Sequence, residues 1–136
     1  MKQLGIYLTF NGTCETALEF YKDALAGEIT SLQHFGEAPM EVNEAHVQRV
    51  MHATFKADTI EFMASDSMPE HPVNSGNQVH LSLQLDDEAE QTTIFNKLAE
   101  GGQITMPLGD TFWNARFGML VDKYGISWML NCEKKG

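Results

Sequence analysis

An internal repeat constrains the fold of this chain of 136 residues more than any other feature of its sequence. Alternating apolar and polar residues predict strands over residues 6–11 and 79–86. Each strand precedes a segment of helical periodicity that stops at glycine, and further extended segments follow. Because strand, helix, glycine stop and strands occur twice in the same order, we predict a tandem duplication of a βαβββ module.

Short segments of the two modules also correspond in sequence. Residues 60–63, Ile-Glu-Phe-Met, match residues 126–129, Ile-Ser-Trp-Met, at a spacing of 66 positions. The first strands match at a spacing of 73, with Ile6 aligned to Val79. One such match could be coincidence, but the shared order of all segments favours duplication.

Both predicted helices have recognisable ends. Thr13 is the expected N-cap of the first helix, over residues 15–26, and Gly27 is the expected C′ residue that ends it. Asp87 and Glu90 have the spacing of a capping box, which predicts the start of the second helix.

The predicted fold class is α+β, with two modules whose mixed sheets curve around a shared cleft. Each helix can cover one face of a four-stranded sheet, which leaves the other face free to line an interior. Module one covers about residues 1–66, a linker rich in proline, serine and glycine covers about 67–78, and module two covers about 79–133. Residues 36–48 carry three glutamates without a clear period, and we expect a loop that either contributes to binding or decorates the surface.

Charge and composition exclude several classes of function. With 9 basic and 19 acidic residues the formal net charge is −10, which argues against nucleic-acid binding and against an anionic membrane surface. No apolar run approaches the roughly 20 residues that span a bilayer. The first residues lack the pattern of a signal peptide, so a cytoplasmic location is expected, and Cys14 and Cys132 are expected to be free, inert thiols.

Residues 110–129 form the most distinctive segment, because they hold both tryptophans and an arginine in a predicted hairpin. Phe112, Trp113, Phe117 and Trp128 supply aromatic surface and Arg116 supplies a fixed charge, which makes these five the candidate ligand-binding residues. The alternatives are that the aromatic rings belong to the core and that Arg116 pairs with a carboxylate such as Asp122. Strand alternation places Phe117, Met119 and Val121 on one side, and Arg116, Gly118, Leu120 and Asp122 on the other.

An ordered set of motifs along nearly the whole chain carries a family resemblance. The most specific members are Phe112-Trp113, Arg116-Phe117-Gly118, Asp122-Lys123-Tyr124-Gly125 and Trp128-Met129, in that order. This set resembles the PhnB-like branch of the vicinal oxygen chelate superfamily, which includes glyoxalase I, extradiol dioxygenases and bleomycin-resistance proteins. The resemblance implies a glyoxalase-like fold and a homodimer.

Metal-dependent members of this superfamily place four ligands on strands that face the cleft, and the resemblance locates those slots here. They fall at or close to Ile6, at Glu61 or Met63, at His80 and at Met129. Isoleucine cannot ligate, and methionine is a poor ligand for the metals concerned. Since His80 and Glu61 alone remain, we predict that the inherited metal site is lost and that no cofactor is bound.

The expected function is the binding of a small organic molecule in an aromatic cleft. The alternative is a lyase, isomerase or dioxygenase type of enzyme acting on a small oxygenated substrate, with a metal or with His80 and Glu61 as an acid–base pair. The branch often carries the name of a demethylubiquinone methyltransferase. Methyl transfer is not expected, because no glycine-rich loop joins a strand to a helix to hold a nucleotide-like cofactor.

Overall fold

A computed structural model describes residues 1–38 and 41–134 of the chain. The chain forms two compact units, a first unit over Met1–Asn74 and a second unit over Ser75–Gly136. Each unit has one helix and one mixed four-stranded sheet, which confirms the prediction of a two-module α+β fold. The elements of the first unit are β1 (Tyr7–Phe10), α1 (Cys14–Leu25), β2 (Glu28–His34), β3 (Val50–Ala57) and β4 (Ile60–Asp66). Those of the second unit are β5 (Leu81–Leu85), α2 (Glu88–Ala99), β6 (Gln103–Asp110), β7 (Ala115–Val121) and β8 (Ser127–Glu133).

The first sheet has the strand order β1-β4-β3-β2, in which β1 runs parallel to β4 and the other neighbours are antiparallel. Helix α1 packs on one face of this sheet, because its apolar residues recur at helical spacing. Buried Tyr21 of α1 meets Phe62 edge-on with ring centroids 6.0 Å apart, and Phe62 stacks on Phe55 at 4.8 Å. These three rings form the centre of the first core.

The second sheet has the order β5-β8-β7-β6 and repeats the same pattern of parallel and antiparallel pairs. Helix α2 packs on β7 and β8 and buries Phe95 and Leu98. Trp128 and Leu130 of β8 are buried in the same unit. The shared topology is that of two copies of one βαβββ module.

Strand register corrects one detail of the repeat. Tyr7 pairs with Met63 in the first unit, and Ser82 pairs with Met129 in the second. Since Met63 and Met129 correspond, the first strands correspond at a spacing of 75 positions, and the predicted spacing of 73 was wrong. A difference of two residues leaves every side chain on the same face, because side chains alternate with a period of two.

The N-terminus of α1 is capped by a distant residue. Thr13 occupies the N-cap position, but its side chain makes no capping hydrogen bond. The carboxylate of Asp66, which ends β4, accepts hydrogen bonds from the backbone N–H groups of Gly12 and Cys14 at 2.9 Å each. Its second oxygen accepts the N–H of Val50 at 2.8 Å, so one buried carboxylate joins the helix to two strands.

The helix α1 stops where predicted, with Ala26 as its C-cap and Gly27 at C′. Ala26, and not Gly27, adopts the left-handed conformation, with φ of 53°. A Cβ on Gly27 would lie 2.6 Å from Cζ of Phe55 and 2.8 Å from the carbonyl oxygen of Lys56. Glycine is therefore required at this position by the close approach of β3, and not by a positive φ.

Asp87 caps α2 as predicted, and the helix ends before Gly101 as predicted. The Asp87 side chain accepts a hydrogen bond from the backbone N–H of Glu90 at 2.8 Å, and Gly101 has φ of 72° just after the helix. Within the described part of the chain, no helix has the length and the apolar character needed to cross a membrane.

Two irregular segments flank the regular elements. In the predicted loop over 36–48, 3₁₀ turns occupy Phe35–Glu37 and Glu44–His46, and residues 39 and 40 lie outside the described residues. The linker after β4 is tied to the first unit by Asn11. The Asn11 amide accepts the backbone N–H of Val73 and donates to its carbonyl, both at 2.8 Å.

Candidate ligand-binding site

One face of the second sheet is free of its helix, and we call it the helix-free face of the second unit. A Cβ on Gly118 would lie 2.9 Å from Phe95 of α2, so the Gly118 position points toward the helix. Because side chains alternate along a strand, Phe117 and Met119 point the other way. Cross-strand partners extend this face to Ser82, Gln84, Met106, Phe117, Met119, Met129 and Asn131.

An aromatic chain borders this face at the turn between β6 and β7. The rings of Phe112 and Trp113 meet edge-on at 5.1 Å, and Trp113 meets Phe117 in the same manner at 5.6 Å. Phe112 is 97% exposed and Trp113 is 50% exposed. Asn114 adopts φ of 62° in this turn. Two large rings therefore remain open to solvent next to a third ring anchored in the sheet.

Two neutral amides lie beside the aromatic chain. The Asn131 Nδ2 group donates to Gln84 Oε1 at 2.9 Å across the β5–β8 pair. Asn131 Oδ1 receives the indole N–H of Trp113 at 3.5 Å, and Gln84 Nε2 lies 3.4 Å from the hydroxyl of Ser82. These last two distances are long for hydrogen bonds, so the amide groups keep capacity for further partners.

Arg116 lies on the opposite side of β7 from Phe117. Its Nη1 donates to the Thr92 hydroxyl at 2.8 Å and to the Gln91 side-chain oxygen at 3.2 Å, both on α2. It also reaches the Glu88 carbonyl at 3.2 Å, and its Nε lies 3.9 Å from the Glu88 carboxylate. The carboxylate beside Arg116 is therefore that of Glu88, which agrees with the alternative of a carboxylate partner. The guanidinium links β7 to the first turns of α2.

Trp128 also lies on the helix side. The side chain is 1% exposed, and its indole N–H donates to the buried carboxylate of Asp122 at 2.8 Å. Of the five predicted ligand-binding residues, Phe112, Trp113 and Phe117 form one continuous chain of ring contacts. Arg116 and Trp128 are not brought to that chain.

The predicted catalytic and metal residues are divided between the units. Glu61 lies on β4 of the first unit and is exposed, next to Lys56 in the register, while His80 precedes β5 of the second unit. Ile6 precedes β1 and is 38% exposed. Met129 lies on β8 with Ser82 as its strand partner. The acid–base pair of His80 and Glu61 stays a prediction.

No group of three or more His, Cys, Asp or Glu side chains that could hold a metal ion occurs within residues 1–38 and 41–134. The cysteines are free and buried, and burial, followed by the charges of Asp66 and Glu15, raises the pKa of the Cys14 thiol to about 12. At neutral pH this thiol is protonated and therefore a weak nucleophile.

Sequence reasoning missed several residues of this region. Gln84, Asn131 and Met119 share the helix-free face. Strand alternation predicts this only when it is known which residues pair across the strands. Gln91 had no such signal. It is fully buried on α2, and its Nε2 donates to the carbonyl oxygens of Arg116 and Leu130 at 2.8 and 3.1 Å.

Comparison with known proteins identifies the family. Residues 2–131 match the family described as 3-demethylubiquinone-9 3-methyltransferase. The chain belongs to this family. Protein YjdN of Escherichia coli strain K12 is 31% identical over 143 residues, which cover 97% of this chain and 96% of that protein.

Solved structures of family relatives share the whole fold. The crystal structure of protein PA1353 from Pseudomonas aeruginosa is 40% identical, covers 99% of this chain and 100% of its own, and has a TM-score of 0.89. A PhnB protein from Bacillus cereus is 35% identical, with 96% and 99% covered and a TM-score of 0.81. Solved glyoxalase/bleomycin resistance proteins share the fold at 12% and 14% identity. The family match and the Bacillus cereus PhnB protein confirm the predicted PhnB-like branch.

Proposed function

We propose that the protein binds a small organic molecule on the helix-free face of the second unit. The observation that carries this proposal is the Trp113–Phe117 ring contact at 5.6 Å, beside a half-exposed Trp113. A ligand that covers a large apolar ring exposed at a turn removes apolar surface from water, which stabilises the complex. The Asn131 and Gln84 amides lie close enough along the sheet to orient what binds there.

The surroundings of the rings suit an adaptable binding surface. Met106, Met119 and Met129 lie side by side in the register of β6, β7 and β8. Thioether side chains are flexible and polarisable, so they adjust to ligands of different outline and contact aromatic rings favourably. A planar ligand stacked on one ring gains about 0.5–1.5 kcal/mol beyond its buried area.

Methyl transfer is not part of this proposal, although the family description names it. Neither α1 nor α2 follows a strand through a G-x-G-x-x-G loop, which is the usual cradle for a nucleotide-like cofactor. An enzymatic role for His80 and Glu61 remains the alternative. It predicts ligand binding that depends on a divalent metal or on these two side chains.

The test is a thermal-shift screen of small organic compounds, repeated with a chelator. Compounds that raise the melting temperature of the wild type with or without chelator are expected to lose their effect on Trp113→Ala. Ile104→Ala is the matched control, because Ile104 is an exposed apolar residue of β6 whose strand partner, Leu120, lies on the helix side. Shifts that require metal would favour the enzyme, and shifts that survive Trp113→Ala would place binding elsewhere.

We also propose, from the family resemblance, that the protein forms a homodimer. Each helix carries exposed uncharged residues such as Thr16, Thr93 and Asn96, which suit a protein contact. Sedimentation equilibrium is expected to give twice the 15.2 kDa of one chain. A mass of one chain over the micromolar range would refute the dimer.

A further inference from the structure

The helix-free face of the second unit contains no described lysine or arginine. Its side chains are the amides of Gln84 and Asn131, the hydroxyl of Ser82, three thioethers and aromatic rings. The charged residue that continues this face along β8 is Glu133, which is exposed. His80 lies two residues before Ser82 and is half-buried. The face is thus polar without a fixed positive charge.

The cations of the second unit that lie within the described residues are placed elsewhere. Arg116 is bound to α2 on the other side of β7. Lys134 forms ion pairs with Asp110 at 2.7 Å and with Glu88 at 3.6 Å. Lys97 lies in the last turn of α2, and Lys123 lies in the β7–β8 turn, 5.5 Å from the Tyr124 ring. None of these four is a partner in the register around Met119 and Met129.

The two amides present complementary hydrogen-bonding groups at neighbouring strand positions. One N–H of Asn131 is used by Gln84, which leaves its second N–H as a donor, and Gln84 keeps one N–H besides the one that lies 3.4 Å from the Ser82 hydroxyl. The Asn131 Oδ1 is the acceptor, held weakly by Trp113 at 3.5 Å. A ligand edge that carries both an acceptor and a donor, such as an amide, satisfies this set without any formal charge.

We infer that the ligand is a planar aromatic or heteroaromatic compound with an amide-like edge and no negative charge. This inference rests on the proposed binding function of the same face. A carboxylate or phosphate placed here would lose water without meeting a cation, which costs more than a neutral amide does. The net charge of −10 repels anions at long range, and the exposed rings of Phe112 and Trp113 attract cations.

Three probes of equal size separate charge from shape: 2-naphthamide, 2-naphthamidine and 2-naphthoate. The readout is the ¹³C spectrum of ε-labelled methionine methyls at about pH 8, where imidazole is ordinarily neutral. Naphthyl ring currents on the helix-free face shift Met106, Met119 and Met129, while Met1 serves as the internal control. Ligands of this size are expected to bind with a Kd on the order of 1 mM.

Naphthamide and naphthamidine are expected to shift these three methyl signals in the wild type and not in Trp113→Ala. Naphthoate is expected to bind at least about tenfold more weakly than naphthamide. Gln84→Lys is expected to strengthen naphthoate binding by about the same factor, because it adds a cation to the face. Asn96→Lys, which adds the same charge to the exposed surface of α2, is the control and leaves naphthoate weak.

Two results would overturn the inference in distinguishable ways. If naphthoate shifts the same methyls as strongly as naphthamide and the effect is lost in Trp113→Ala, the charge preference is wrong and the binding site stands. If no probe shifts these methyls at millimolar concentration, the binding function itself fails and the inference fails with it.

Discussion

The indole N–H of Trp128 donates to the carboxylate of Asp122 at 2.8 Å inside the core of the second unit. The other carboxylate oxygen accepts the backbone N–H groups of Tyr124 and Ile126 at 2.8 and 3.1 Å. One buried side chain therefore both shapes the β7–β8 turn and fixes the largest ring of the core. Asp122 and Trp128 therefore belong to the core of the second unit.

Asp122→Ala is expected to lower the free energy of unfolding by about 2–4 kcal/mol, because it leaves one buried and two partly buried donors without an acceptor. Urea denaturation followed by tryptophan fluorescence measures this change. Asp86→Ala removes an exposed aspartate before α2 and is the matched control, with an expected change within about 0.5 kcal/mol. Equal stability of the two variants would show that solvent replaces the carboxylate.

Gly118→Ala is expected to destabilise the second unit by about 1–3 kcal/mol through overpacking. The added Cβ would lie 2.9 Å from both Phe95 and Leu108, on the helix side of the sheet. Gly109→Ala is the control on the neighbouring strand, because its added Cβ meets nothing closer than the Pro107 oxygen at 3.9 Å. Thermal melts of both variants provide the comparison, and a neutral Gly118→Ala would contradict the tight packing.

The Cys14 thiol is expected to react with a thiol reagent at the rate of unfolding, since it is buried and its pKa is raised to about 12. Native protein should therefore label slowly at pH 8, and urea should accelerate labelling. Rapid modification of Cys14 in folded protein would contradict this placement.

The same thiol affects stability at high pH. The pKa rises on folding from its ordinary value of 9.0, so the unfolded chain loses the proton first and stability falls as pH rises above 9.0. Cys14→Ala removes this contribution, and its stability is expected to fall less steeply between pH 9.0 and about 12 than that of the wild type. Denaturation curves across this range measure the difference in slope. A parallel decline in both proteins would contradict the predicted shift.

His34 joins two segments of the first unit by ion pairs. Its Nε2 lies 2.7 Å from Glu15 at the start of α1, and its Nδ1 lies 2.9 Å from Glu37 after β2. The hydrogen bond to Glu15, followed by that to Glu37, raises the pKa of His34, although burial opposes the shift. Glu15→Gln is expected to lower this pKa more than Glu37→Gln does, and Glu19→Gln on the same helix is the control. Proton NMR titration of the ring reports each value.

The sign of the corresponding stability change follows from the raised pKa. Stabilisation by His34 is fully present below the ordinary histidine pKa of 6.5 and is lost as pH rises through the higher pKa of the folded protein. The stability of His34→Gln should therefore differ most from the wild type near pH 5.5 and least near about pH 9. A difference that grows with pH would reverse the assignment.

The sequence predicted a helix end well where the capping group is a neighbour of that end in the sequence. The Asp87 N-cap and the Gly101 stop act through neighbouring backbone groups, so their positions in the sequence carry the information. Thr13 failed as a capping side chain because Asp66, more than fifty residues away, supplies the acceptor. A distant carboxylate leaves no trace in the sequence around the helix it caps.

The candidate site shows the same division. Strand alternation alone determined that Phe117 and Met119 share one side of β7 and that Arg116 and Gly118 share the other. Tertiary packing decided which of these two faces α2 covers. The helix lies on the face of Gly118, where Phe95 packs closely, and of Arg116, which donates to Gln91. A period of two assigns residues to faces but carries no information about which face another element will bury.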